Sequence, residues 1–350
     1  MSVRQCGFVA QRGAKDALYD AIEIVKQGLK RKEIVVVISI DIEGAFDNAW
    51  WPGMINELEN KKVDRSLCRL ISSYLLDREI KLTYAGHELN PLLTEVEGLG
   101  TYIQAYADDI TIIAKEKSAK DLEKELNPVL YHIINWAKKR KMKLAAQKTQ
   151  AILITKKMKF ENPKIVMGET EISFSDTITI LGLTIDADLN FLKHVDRVTE
   201  KAIQLYKKVA KTARTNWGLN PEILRTIYIT VVEPTILYAA SVWGHVANKK
   251  QIKTWLDRIT RTFSILICKA HRTSSLISCA TLARVLPLDL RAQENADLFR
   301  IKRGEPLERL PGRELAKSVS PYSLPHPAKR VNQTYNLINA EADLESIGND

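Results

Sequence analysis

At 350 residues the chain has room for about two domains. Its 52 Lys+Arg against 42 Asp+Glu give a net charge of +10, a balance that suits a polyanionic partner without requiring one. The four cysteines, Cys6, Cys68, Cys268 and Cys279, form no C-x-x-C pair, which argues against a zinc-finger or disulfide framework, and no apolar leader follows Met1, so an intracellular protein of nucleus or cytoplasm, not a secreted one, is expected.

Ala14 to Lys30 carries apolar residues at helical spacing, Ala17-Leu18, Ala21-Ile22, Ile24-Val25 and Leu29, and reads as an amphipathic helix. Ile34 to Ile40 is too apolar for a half-exposed strand and reads as a central one, ending in Asp41. Met54–Asn60 and Asp64–Asp77 read as helices, the second with Asp64 as N-cap. Ile80 to Tyr84 alternates like a strand and Ala85 to Glu88 is a turn. Tyr102 to Ile113 is two short β-prone runs flanking Ala107-Asp108-Asp109, so the carboxylate pair falls at a hairpin tip. Ionised and unpaired carboxylates at the ends of buried strands are costly. A divalent metal removes that cost, and oxygen-only ligands suit magnesium.

Asp41-Ile42-Glu43-Gly44-Ala45-Phe46-Asp47 and Tyr106-Ala107-Asp108-Asp109 together resemble motifs A and C of reverse transcriptases, in particular those of jockey-like non-LTR retrotransposons. The resemblance runs from about Gln5 to about Leu298; Gln5 to Gly13 looks like the loop that precedes the palm. It implies an α+β fold, a right-hand polymerase palm over residues 1–187 built on an antiparallel sheet with packed helices, then an all-helical thumb over 188–303. The implied activity is templated addition of dNTPs to a primer 3′-OH on an RNA template, with two Mg2+ ions (Mn2+ as a substitute) held by Asp41, the Ile42 carbonyl and Asp108. Asp109 would assist. Phe46 matches the bulky residue that blocks a ribose 2′-OH, although its spacing fits simple core packing as well. Leu144 to Thr149 resembles motif D, which would set Lys148 near the leaving pyrophosphate; as plain sequence, Lys148 is an exposed lysine before a strand.

After Val96 the chain leaves the family pattern. No Pro-Gln-Gly loop, the start of motif B, occurs between Asp41 and Asp108. The family's finger strands would lie upstream of Gln5, and neither they nor its endonuclease domain are visible. Two readings follow: an impaired DNA polymerase, or a remnant without activity that binds nucleic acid non-specifically.

Ser118 to Asp121 reads as a capping box opening a long amphipathic helix that ends in Lys138-Lys139-Arg140-Lys141. Ala151 to Ile154 reads as a strand and Lys164 to Phe174 as a hairpin about Gly168-Glu169, after which Thr177 to Asp186 follows. Leu181-Gly182-Leu183-Thr184-Ile185-Asp186 resembles the palm–thumb junction, which in the family grips the primer. Asp186 and His194 lack a third metal ligand and read as structural; Cys268, His271 and Cys279 lack at least one ligand and read as buried helix residues. Helices are expected over 193–216, 221–232, 235–243, 249–270, 274–285 and 288–302, with Pro221 at a helix N1 and Pro234 as a break. Thr226 to Trp243 is the most membrane-like stretch and reads as two short buried helices. Arg258, Arg261, Lys269 and Arg272 form a basic face that suits duplex backbone, or is merely solvated. From Gly304 five basic and seven acidic residues lie among five prolines, which reads as a tail with little fixed structure.

Overall fold

A computed structural model describes residues 6, 12–43, 51–60, 63–75, 101–107, 109–139, 142–213 and 219–305. Phe46, Asp47, the expected strand and turn over 80–88, the segment 89–100, Asp108, Trp217-Gly218 and the tail from Pro306 lie outside them.

The sheet is built on β1 (Ile34–Ile40), flanked on one side by β4 (Asp109–Glu116) with β3 (Tyr102–Tyr106) beyond it, and on the other by β6 (Gln150–Ile154). All pairings are antiparallel, and β1 is apolar at nearly every position because both its faces are covered. Alternation along β1 divides the core. Val35 and Val37 face a cluster holding α1 (Ala14–Lys30), whose buried face is Leu18, Ala21, Ile22 and Val25. Ile34, Val36, Ile38 and Ile40 face α4 (Ala119–Lys139). There Leu122, Leu126, Val129, Leu130 and Ile133 are fully buried, each worth about 1.5–3 kcal/mol of apolar transfer. The helix begins as its sequence says: Asp121 N–H donates to Ser118 Oγ at 3.2 Å, and the Ser118 hydroxyl donates to Asp121 Oδ2 at 2.6 Å. Pro128, inside α4, and Lys124, whose carbonyl loses its donor, are both exposed, so water can serve that carbonyl.

Two further helices, α2 (Trp51–Asn60) and α3 (Arg65–Leu75), follow β1; Asp64 Oδ1 accepts Ser66 N–H at 2.8 Å, the expected cap. Both sheet flanks are met by irregular chain. Cys6 N–H donates to the Ala105 carbonyl on β3, and Ser175 N–H to the Ala151 carbonyl on β6. Two short ribbons accompany the sheet: β2 (Ile42–Glu43) with β5 (Lys143–Leu144), and β7 (Val166–Met167) with β8 (Thr170–Glu171). The run 177–186 turns back on itself. It is a hairpin, β9 (Thr177–Ile180) and β10 (Leu183–Asp186), joined by Leu181 and Gly182 at φ +45° and +79°. Two positive φ values make the twist of a two-residue hairpin turn.

The remainder is helical: α5 (Leu192–Ala213), α6 (Pro221–Ile227), α7 (Glu233–Ile236), α8 (Ala240–Trp243), α9 (Lys250–Cys268), α10 (Leu276–Leu282) and α11 (Leu288–Lys302). Asn220 caps α6, its Oδ1 accepting Glu222 N–H at 3.0 Å, and Pro221 sits in the first turn as expected. Pro234, however, does not break the chain. A π-turn, Tyr228–Val232, precedes α7, and Glu233 N–H reaches back five residues to the Tyr228 carbonyl. That register shift absorbs the proline. The break comes at Ala239, left-handed at φ +54°. Likewise α9 ends at Cys268, two residues early, because Lys269 turns left-handed at φ +52°.

Among the described residues no single helix is long and apolar enough to cross a membrane. In the stretch 226–243, Tyr228, Val232, Ile236 and Trp243 are fully buried in the same core as α1 and β1. The chain divides into two units, Met1–Phe299 and Arg300–Asp350, the first spanning both the expected palm and the bulk of the expected helical region.

The two residues read as structural are so. Asp186 Oδ1 and Oδ2 accept the N–H groups of Asn190 at 2.9 Å and Phe191 at 2.7 Å. His194 is fully buried, and its Nδ1 accepts Thr184 N–H at 3.4 Å. Burial, then the Arg197 charge, lowers its pKa from 6.5 to about 4. The unfolded chain therefore takes up a proton below pH 6.5 that the folded chain refuses until pH 4. Stability is full above pH 6.5 and falls on acidification, by up to about 3 kcal/mol at pH 4. Urea midpoints at pH 7.5 and 4.5 check this: the His194→Gln chain is expected to lose less stability between them than the wild type.

Candidate functional site

The sheet register assembles the site. The pairing of β1 with β4 ends at Ile40↔Ile110, and one step further the register runs to Asp41 and Asp109. Neighbouring strands lie about 4.8 Å apart. Alternation places both aspartates on the face opposite α4, with Val35 and Val37, because Ile40, Ile42 and Ile110 belong to the α4 cluster. On the far side, Ala145 N–H donates to the Asp41 carbonyl at 2.9 Å. That makes Asp41–Ala145 a hydrogen-bonded pair, so the next pair, Ile42↔Leu144, is a non-hydrogen-bonded one, and the Ile42 carbonyl points away from β5. After β5 a single 3-10 turn, Ala146–Lys148, brings Lys148 Nζ to 3.7 Å from Asp41 Oδ2. Both side chains stay substantially open, 68% and 39% exposed, so this ion pair adds at most about 1 kcal/mol.

The hairpin tip is tight. Tyr106 pairs with Asp109, and Ala107, next to Tyr106, sits at φ +56°. Left-handed backbone costs a non-glycine residue about 1 kcal/mol or more. Ala107→Gly is accordingly expected to raise stability by about 1 kcal/mol, read as a shift in the urea midpoint; no gain would mean the turn carries no such cost.

Asp41, Ile42, Asp109 and Lys148 are thus brought together, while Asp108 and Phe46 lie outside the described residues. Among the described residues no group of three His, Cys, Asp or Glu side chains could hold a metal ion. What Asp41, Asp109 and the Ile42 carbonyl offer is an oxygen-only donor set at one sheet end, which fits Mg2+ rather than a soft metal. Cys279 is buried in α10 and Cys268, at the end of α9, donates to its carbonyl at 3.5 Å, but His271 is not a buried helix residue: it is exposed in the loop between the two helices, with its Nδ1 2.8 Å from Thr273 Oγ1.

The four basic residues of the helical region fare differently. Arg258, Lys269 and Arg272 are exposed. Arg261 is engaged: its Nη2 donates to the carbonyls of Arg272 at 2.8 Å and Ser274 at 3.0 Å, clamping the loop after α9. A longer stripe lies on α5, where Lys193, Arg197, Lys201, Lys208 and Lys211 recur at spacings of three, four and seven. They fall within one helix face over about 27 Å. That spacing was readable in the sequence, unlike the pairing of Arg197, whose guanidinium donates to the Gly182 carbonyl of the β9–β10 turn.

A family model described as reverse transcriptase (RNA-dependent DNA polymerase) matches residues 84–185, which takes in the β3–β4 hairpin and Lys148. The chain is 28% identical over 221 residues to the Pol polyprotein of a type-1 retrotransposable element R1 of Nasonia vitripennis, covering 58% of this chain and 56% of that one. It is 25% identical over 329 residues to a putative 115 kDa protein in the R1 element of Drosophila melanogaster, covering 87% and 31%. It is 23% identical over 341 residues to the RNA-directed DNA polymerase from mobile element jockey of Drosophila melanogaster, covering 87% and 35%. The chain therefore spans between about a third and just over half of these relatives' length. Residues 84–185 thus match the reverse transcriptase family, and the chain at large is similar to proteins of non-LTR retrotransposons of the R1 and jockey kind.

Proposed function

We propose that this chain carries the DNA-synthesis centre of a retroelement reverse transcriptase, adding dNTPs to a DNA primer 3′-OH along an RNA template. The observation that supports it most is the register that sets Asp41 beside Asp109 on one face of the sheet, with Lys148 at 3.7 Å. Asp41, Asp108 and the Ile42 carbonyl would hold two Mg2+ ions. Bound there, such ions lower the pKa of the 3′-OH and neutralise charge on the triphosphate. Asp109 adds negative potential that favours the cations. The Lys148 ammonium, open to solvent, can protonate or neutralise the departing pyrophosphate. Phe46 would exclude a 2′-OH. The stripe on α5, with Arg258, Lys269 and Arg272, offers phosphate contacts that position a duplex without reading its sequence.

Turnover should be slow. The Pro-Gln-Gly loop of the family is missing between Asp41 and Asp108, and positioning supplies much of the rate in phosphoryl transfer. The same absence favours a second reading, a chain that binds nucleic acid and does no chemistry. Primer extension on an RNA template separates the two. The proposal expects incorporation that needs template and Mg2+ and falls to background in Asp41→Asn. Incorporation no greater than that of Asp41→Asn, with salt-sensitive duplex binding intact, would leave the binding-only reading.

A further inference from the structure

We infer that the loop 155–164, between β6 and β7, is a second nucleic-acid site: a basic platform with an apolar tip that binds single-stranded RNA, remote from the carboxylates. β6 runs antiparallel to β1, and their pairing ends at Val35↔Ile154. The loop therefore leaves the sheet at the end opposite Asp41, about 20 Å away along β1. It is pinned at both ends. At its start, Lys157 N–H donates to Thr155 Oγ1 at 3.2 Å, and the Lys157 ammonium donates to the Lys117 carbonyl, where β4 passes into α4. At its end, Pro163 and Ile165 are buried, and Lys164 N–H donates to Glu123 Oε1 at 2.7 Å. The Asn127 amide closes this anchor, its Nδ2 donating to the Lys164 carbonyl at 3.2 Å and its Oδ1 accepting Val166 N–H at 3.0 Å.

Between the anchors Met158 stands 97% exposed and Phe160 42%. A lone exposed apolar side chain is ordinary. Here two stand two residues apart, and what surrounds them is positive charge. Lys156 and Lys159 belong to the loop itself. Lys117 and Lys120 come from the start of α4, against which the loop lies. All four lysines are exposed and, among the described residues, make no ion pair. Glu161 is the one carboxylate within the loop, and Glu123 is occupied by Lys164 N–H. Unpaired ammonium groups favour a polyanion, and an aromatic ring with a thioether among them favours one whose flat apolar faces are uncovered. Single-stranded RNA has both, phosphates for the lysines and base faces to stack on Phe160. A duplex hides those faces within its own stack. An anionic lipid surface would match the charge, but two apolar side chains on an irregular loop bury far less than the amphipathic helix that holds a protein there.

The test uses the full chain and a fluorescein-labelled oligouridylate, titrated with unlabelled RNA/DNA duplex in excess so that sites for duplex are already filled. Phe160→Ala is expected to weaken oligouridylate binding about tenfold, the loss of one base stack, and to leave duplex binding within about twofold of wild type. Lys156→Gln combined with Lys159→Gln is expected to weaken it as well, and to flatten the slope of log affinity against log salt by about 1.4, the share of two phosphate contacts. All three substitutions fall on exposed side chains, so thermal melts should match wild type. With 5-iodouridine in the oligomer, ultraviolet light is expected to cross-link the peptide that contains Phe160. Asp41→Asn should give the same cross-link, which keeps this site separate from the fate of the DNA-synthesis reading. Wild-type oligouridylate affinity in both variants overturns the proposal, as do equal losses for oligomer and duplex, or cross-links confined to other peptides. Phosphatidylserine vesicles that need Phe160 for binding, where oligouridylate does not, would overturn it in favour of a lipid surface.

Discussion

Gly244→Ala is expected to cost about 3 kcal/mol and to lower the melting temperature by about 5 °C. Gly244 follows α8 with an ordinary helical φ of −57°, so alanine has no backbone penalty there and would gain in helix propensity. Space decides the sign. A Cβ would stand 2.4 Å from the Ala292 carbonyl oxygen and 3.0 Å from the Ala296 Cβ, both on α11. The first of these is main chain and cannot rotate away, so α11 must move off Gly244. That movement would loosen the packing of Ala292 and Leu288, both fully buried in the core that also holds Trp243 and Val37. Thermal melts of the two chains check it, and an unchanged melting temperature would mean that α11 does not sit against Gly244.

Asp41→Asn is expected to lower template-directed incorporation by about a thousandfold while leaving stability within about 1 kcal/mol. The first figure is about 4 kcal/mol of transition-state stabilisation, the share ascribed to a ligand whose loss empties a metal position. The second follows from the half-open ion pair to Lys148, which is worth little either way. The amide keeps the shape of the side chain and the backbone bond from Ala145 to the Asp41 carbonyl, so a defect in folding does not account for the loss. Single-turnover extension and a urea titration measure the two halves. A variant with wild-type incorporation would remove Asp41 from the chemistry.

The elements whose sequence carries one strong period were legible. α1 and β1 fall at the expected residues, Ala14–Lys30 and Ile34–Ile40, because a helical stripe and an unbroken apolar run admit few alternatives. The pairing of β3 with β4 was legible because two short β-prone runs flank a turn-forming pair. What sequence could not supply is partnership. That Asp41 lies beside Asp109 depends on β1 pairing with β4 in one register, and that Lys148 reaches Asp41 depends on the single turn after β5. The β9–β10 hairpin has no Asn-Gly or Asp-Gly turn signal, since Leu181 occupies the first turn position. Its left-handed turn is held by Tyr238 and Arg197, neither of which is local. Pro234 read as a break because a lost N–H usually is one; the π-turn before it removes the conflict and leaves no mark in composition. Arg261 read as part of a basic face, and its guanidinium is spent on loop carbonyls instead.

The most direct test of the account asks whether a divalent ion settles between Asp41 and Asp109, whatever the turnover. Fe2+ with ascorbate, substituted for Mg2+, cuts polypeptide backbone close to where the ion is held. The account expects cuts near residues 41–43 and 107–110, competed by Mg2+ and lost in Asp41→Asn. Cleavage elsewhere, or the same cuts in Asp41→Asn, would contradict it.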